Sequence, residues 1–194
     1  DHGYALCLID AGGSHANLTD EYAAIPQEMR SVAKLMGKEV LGETDPAEFY
    51  ARLGEFRGKV PDRALLRAMH FYGDNQRVLD QADALRKGDF QQFLALVRDS
   101  GASSMDLLQN IYPSGDPSER SLSLALALCR RLLEKDGAWR VHGGGFAGTV
   151  QAFVPVERLE SFRQKMEAVF GAGTCHDLSV RPAGGIKVMA EGEV

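Results

Sequence analysis

The apolar positions change period along the chain. Tyr4-Ala5-Leu6-Cys7-Leu8-Ile9 is a short continuous run closed by Asp10-Ala11-Gly12-Gly13, the pattern of a buried strand and its turn. A polar stretch from Ser14 to Tyr22 leads to Pro26. Proline suits the first helical turn, so a helix is predicted from Pro26 to about Met36, closed by Gly37. Asp45-Pro46 opens a second helix in the same way, ending near Leu53. From Pro61 onward Leu65, Leu66, Met69, Tyr72, Val78, Leu79, Ala82 and Leu85 recur at three and four residues, with a break at Gly73-Asp74-Asn75. Lys87-Gly88 stops that helix. Asp89 caps the next, with Phe90, Phe93, Leu94 and Val97 on one face and Ser100-Gly101 at its end. Ser103 and Asp106 have capping-box spacing for a short helix to about Asn110. Pro113 to Pro117 reads as a loop. The helix predicted from Pro117 to Lys135 is leucine-rich on nearly every side and is expected to be the most buried.

The last third returns to short runs. Trp139-Arg140-Val141 and Val150-Gln151-Ala152-Phe153-Val154 read as strands on either side of a glycine-rich loop. Pro155 opens a helix carrying Leu159, Phe162, Met166, Val169 and Phe170, ended by Gly171-Ala172-Gly173. Leu178-Ser179-Val180 and Ile186-Lys187-Val188 are further short strands around an Arg181 to Gly185 turn. The order predicts an α+β arrangement with a small, mainly antiparallel sheet.

Composition narrows the function classes. At 194 residues the chain is long enough for a sizeable core. Its net charge of −5 gives no electrostatic reason to expect nucleic acid or an anionic membrane, and no apolar run is long enough to span a bilayer. Cys7, Cys129 and Cys175 are odd in number and far apart, which favours free thiols in a reducing, cytoplasmic setting over a disulfide framework or a metal site. No His/Cys/Asp cluster has metal spacing. No signal peptide is visible, and the chain enters its first apolar run by Tyr4, as a piece of something longer would.

The densest feature is His142-Gly143-Gly144-Gly145-Phe146-Ala147-Gly148-Thr149. Glycine costs about 0.5–1 kcal/mol against alanine in an element interior, so a cluster like this marks close backbone approach or positive φ. Gly143-x-Gly145-x-x-Gly148 formally matches a dinucleotide fingerprint. That fingerprint needs a helix after it to hold a pyrophosphate, and a strand follows here. The Gly-Lys-Ser/Thr of a Walker loop is absent. Two readings stay open: a loop meant to approach a ligand, or a hairpin whose glycines serve packing alone.

The stretch Ala138 to Val150 resembles the third, C-terminal motif of the GHMP kinases, with His142 and Ala147 as variations on it. Three other stretches resemble the galactokinases among them, in the same order. They are Leu8 to Leu18 with Glu21-Tyr22, Arg67 to Phe71 with Asn75 to Val78, and Val180 to Gly185; Gln76 stands where glutamate is usual. The resemblance implies a ferredoxin-like, four-stranded antiparallel sheet with a helical insertion over about 26–135, the whole of residues 1–194 forming a C-terminal domain. It implies a sugar kinase that phosphorylates a hexose, galactose, at its anomeric hydroxyl. ATP and Mg²⁺ would be bound mainly by an N-terminal kinase domain, this chain's partner. The Gly-Leu-Gly-Ser-Ser phosphate loop of such kinases does not occur in the chain. No catalytic residue is therefore assigned to this fragment, and the isolated piece is expected to be inactive. The alternative is a non-catalytic small-molecule sensing or regulatory domain of the same fold.

By the same resemblance, Tyr22 matches a tyrosine that contacts the hexose. Gly143, Gly144, Gly145, Phe146 and Gly148 match a loop packed beside the nucleotide site. His142 and His15 are further cleft-facing candidates. The remaining polar residues read as structural: His70 and Arg77 as interhelical contacts, Arg140 and Arg181 as salt-bridged strand residues, Asp10 as a partner of turn amides, Asp106 and Asp116 as cap and turn residues.

Overall fold

The computed structural model describes residues 2–13 and 18–180. The short apolar runs form one sheet. Strand β1 (Tyr4–Asp10) pairs antiparallel with β3 (Thr149–Pro155) and, on its other edge, with β4 (Cys175–Leu178); β2 (Ala138–Val141) pairs antiparallel with β3. The order is β2-β3-β1-β4. Register follows burial: Cys7 lies opposite Ala152 and Ile9 opposite Val150, all four fully buried. A one-residue slip would turn that apolar row to the other face.

The helices are α1 (Thr19–Leu35), α2 (Pro46–Ala51), α3 (Leu53–Phe56), α4 (Asp62–Arg86), α5 (Phe90–Ser103), α6 (Ser121–Leu133) and α7 (Leu159–Phe170). Six of them lie between β1 and β2. One face of the sheet packs on α6 and α7 through Leu122, Ala125, Cys129, Leu133, Phe162 and Met166. The opposite face meets α5, where Leu94 and Val97 pack with Ala138, Tyr4 and Phe153. Outside α5 lies α4, and outside α4 a second core binds Val32, Phe49, Phe56, Leu65 and Ala68 of α1 to α4. The fold is α+β with a four-stranded antiparallel sheet, as the sequence predicts.

Several boundaries differ from expectation. α1 begins at Thr19, seven residues before Pro26, which sits inside it. An interior proline forfeits one backbone bond, and the strong helix-start signal of Pro26 misleads for that reason. Gly37 does close the helix, at φ +73°, with its amide on the Lys34 carbonyl. α4 runs unbroken through Gly73. A Cβ there would lie 3.3 Å from Arg77 Nη2, so the glycine makes room for Arg77 to fold back onto Asp74. α5 passes Gly101 and continues into a π-helical turn, Ser104–Leu108; no separate capped helix starts at Ser103. α6 starts at Ser121, after an irregular segment, rather than at Pro117. β4 occupies Cys175–Leu178, three residues before the expected Leu178 to Val180 strand. The Arg181 to Gly185 turn and the Ile186 to Val188 strand lie outside the described residues.

Candidate functional site

The glycine loop is the tip of the β2–β3 hairpin. The His142 amide donates to the Thr149 carbonyl at 2.9 Å and carries the ladder one step beyond Val141 and Val150. Gly143, Gly145 and Gly148 then take φ of +72°, +80° and +95°. Phe146 also has positive φ, +61°, although it is not glycine and is nearly fully buried. The Ala147 amide donates to the Gly145 carbonyl at 2.8 Å, closing a three-residue turn centred on Phe146. Turns of this kind are strained for a side chain such as phenylalanine and persist only when the surroundings hold them.

Two neighbours hold this one. Tyr22, one turn into α1, donates its hydroxyl to the Gly145 carbonyl at 2.8 Å. Its ring meets Phe146 edge to face, with centroids 5.3 Å apart. From the other side comes Asn110, which follows the π-helical turn and a left-handed Gln109 (φ +58°). The Asn110 side-chain amide donates to the Gly144 carbonyl at 3.0 Å, and its backbone carbonyl accepts the Phe146 amide at 2.6 Å. The glycines are dictated by these contacts. A Cβ on Gly144 would lie 2.8 Å from Tyr22 Cε1, and one on Gly145 only 2.0 Å from the Asn110 carbonyl oxygen. A Cβ on Gly143 would meet none of the described residues within 4 Å at the exposed tip of the loop. Behind the loop, Gly148 and Gly12 share a backbone bond, and Gly13 abuts Ala147 and Ser121.

The first turn of α1 also anchors the segment after Asn110. Glu21 accepts the Ser114 amide at 2.6 Å and the Ser114 hydroxyl. Burial pushes the Glu21 carboxyl up, but the two Ser114 bonds outweigh it and leave it below the ordinary carboxylate range. Seven residues further along, Glu28 pairs with Arg63 at 2.6 Å and with the fully buried Arg67 at 2.9 Å. Arg67 also donates to the Leu108 carbonyl at 3.1 Å, next to the clamp formed by Asn110. Burial pushes Arg67 down from its ordinary value, and the Glu28 carboxylate opposes the shift.

The sequence-predicted residues divide. Tyr22, Gly144, Gly145, Phe146 and Gly148 come together in one place, with Gly143 at the open tip. His142 is exposed at the mouth of the hairpin. His15 lies outside the described residues, as does Arg181. His70 is buried and bonds Ser103 of α5 at 2.9 Å, an interhelical contact. Arg77 pairs within its own helix, with Asp74 at 3.0 Å. Asp10 accepts the Gly12 amide, and Asp116 accepts both the amide and the hydroxyl of Ser118. Asn110 and Arg67 carry the site's geometry without having been assigned to it. Nothing local marks Asn110, because its role depends on a π-helical turn that no periodicity encodes. Among the described residues no group of three His, Cys, Asp or Glu side chains could hold a metal ion, and among the same residues no helix is long and apolar enough to cross a membrane.

No family model matches the chain. It is 31% identical over 163 residues to a galactokinase of Actinobacillus pleuropneumoniae serotype 3, a match covering 84% of this chain and 40% of that protein. It is 30% identical over 162 residues to a galactokinase of Glaesserella parasuis, with the same coverage. A galactokinase of Pasteurella multocida is 31% identical over 160 residues, 82% of this chain and 40% of that one. The chain thus spans about 40% of the length of the curated relatives it matches. Among solved structures, Lactococcus lactis galactokinase complexed with galactose superposes with a TM-score of 0.72 at 21% identity, over 91% of this chain and 44% of that one. That likeness is one of fold.

Proposed function

We propose that this chain is the C-terminal domain, residues 1–194 with its helices inserted over about 26–135, of a galactokinase-type GHMP kinase. The reaction is ATP-dependent phosphorylation of a hexose, galactose, at its anomeric hydroxyl, in the cytoplasm. The observation that carries the reading is the Tyr22–glycine-loop assembly. Two motifs of the resemblance, more than a hundred residues apart in sequence, meet there at 2.8 Å. Galactokinase relatives and a galactokinase fold support it from outside.

In this reading the chain supplies one wall of the site. In this reading Tyr22 contacts the sugar: its ring offers an apolar face to C–H groups, and its hydroxyl, which donates to the Gly145 carbonyl, lies on the same wall. Gly143, with no side chain and none of the described residues close before it, lets a phosphate-bearing domain approach closely. Phosphoryl transfer depends on positioning and on neutralising charge. ATP and Mg²⁺ are held by the N-terminal domain, which carries the phosphate loop that this chain lacks. The second reading, a non-catalytic sensing domain of the same fold, draws on the fact that Tyr22 and Asn110 already occupy the loop's inner face.

The test is turnover of ATP and galactose, followed by ³¹P NMR. The full-length protein forms a sugar 1-phosphate, and the 194-residue chain alone does not. Turnover by the chain alone would contradict the division of labour. A folded full-length protein that binds galactose without phosphorylating it would favour the sensing domain.

A further inference from the structure

Arg67 has no exposed surface and touches two separate parts of the molecule. Its Nη1 donates to Glu28 Oε2 of α1, and its Nε donates to the Leu108 carbonyl at the end of the π-helical turn. Its Nη2 is buried with no partner among the described residues. A buried ion pair with a donor left over is a poor device for stability, because desolvation offsets the attraction and the unmatched N–H adds a penalty. Its geometry is what distinguishes it.

Glu28 lies on the same helix as Tyr22, and Leu108 precedes Asn110 by two residues. Tyr22 and Asn110 are the two neighbours that grip the glycine loop, one at the Gly145 carbonyl and the other at Gly144 and Phe146. The guanidinium is a rigid planar fork, so its two contacts fix the distance between α1 and the end of the π-helical turn. The distance between the two grips is fixed with it.

We propose that Arg67 is a positioning residue for the loop: it sets the gap in which the strained Phe146 turn is held and so presents Gly143 and Tyr22 to a ligand. This rests on the reading that the loop faces the substrate site. Lysine cannot replace it, since one ammonium on a flexible stem cannot hold both contacts in a fixed relation. Arg63 is the natural control. It bonds the same Glu28 through Nε and Nη2 but is not hydrogen-bonded to the π-helical turn.

The experiment is residue-resolved amide exchange on the full-length protein, with steady-state kinetics on the same samples. In Arg67→Lys the Phe146 amide is expected to exchange about tenfold faster, the scale of one lost charge-assisted bond, while the β1–β3 amides of Cys7 and Ala152 stay protected. KM for galactose rises with it. In Arg63→Lys both quantities stay within about twofold of wild type. An unchanged Phe146 amide in folded Arg67→Lys overturns the proposal, as does an equal response in Arg63→Lys. If Arg67→Lys does not fold, Glu28→Gln decides: faster exchange at Phe146 supports the linkage, and wild-type exchange overturns it. Faster exchange at Phe146 with unaltered kinetics leaves the mechanical linkage standing and overturns the placement of the loop at the substrate site.

Discussion

Helix α4 carries two polar clusters, and they do different things. Arg63 and Arg67 meet Glu28 near the start of the helix. Two turns later His70, Asp74 and Arg77 meet Ser100 and Ser103 of α5, through bonds of 2.9 Å from His70 to Ser103 and 2.7 Å from Ser100 to Asp74. Both clusters are largely buried, both use an arginine and a carboxylate, and both tie α4 to a neighbouring helix. The first reaches a backbone carbonyl two residues from Asn110, which grips the glycine loop. The second, through its hydrogen bonds to Ser100 and Ser103, ends on α5. Burial of charge on a helix is therefore a weak guide to a site. What the partner atom is itself attached to decides whether the cluster shapes one.

The strongest way to break this contrast is to overfill what the first cluster helps to hold. Gly145→Ala places a Cβ 2.0 Å from the Asn110 carbonyl at φ +80°, and should lower unfolding stability in urea by about 3 kcal/mol or more. Gly143→Ala shares the positive φ but meets none of the described residues, so it should lose only about 1 kcal/mol. Equal losses at the two positions would mean that Asn110 does not press on the loop.

The second cluster should answer to acid, and the loop should not. Burial is the main force holding His70 below its ordinary value of 6.5, with Asp74 opposing and Arg77 and Arg140 adding to it. The unfolded chain therefore takes up its proton first as pH falls. Stability from the neutral, buried imidazole is complete above pH 6.5, declines as pH drops through that value, and flattens below the folded-state value. Denaturation curves between pH 8 and pH 5, as a set of conditions spanning about 1.5 units either side of the ordinary value, check this against His70→Gln, which should remove that part of the slope. A slope that survives the substitution would place the titration elsewhere.

The fold was legible wherever burial is local. The continuous apolar run of β1 and the apolar run of β3 were readable because both faces of these strands are covered, and most leucines of α6 because they face the sheet, Leu124 being exposed. The start of α1 was not, because Pro26 carries a start signal that the packing of Leu18, Tyr22 and Ile25 on Phe146 overrides. The unbroken α4 was hidden because Gly73 reads as a breaker, whereas its neighbour Arg77 needs the space. At the site, the glycines and Tyr22 stood out by motif resemblance. Asn110 and the role of Arg67 did not, since both depend on a π-helical turn and a left-handed Gln109 that only tertiary packing produces.

The claim at the centre is that Tyr22 and the glycine loop form one wall of a hexose site. Steady-state kinetics of Tyr22→Phe in the full-length protein tests it most directly. The substitution removes one hydroxyl whose bond to Gly145 is worth about 1 kcal/mol, so the protein stays folded. The predicted result is a KM for galactose raised about five- to tenfold, the range expected when one hydrogen bond to substrate is lost, with KM for ATP within about twofold of wild type. Unchanged KM and kcat for galactose in a folded Tyr22→Phe protein would contradict it.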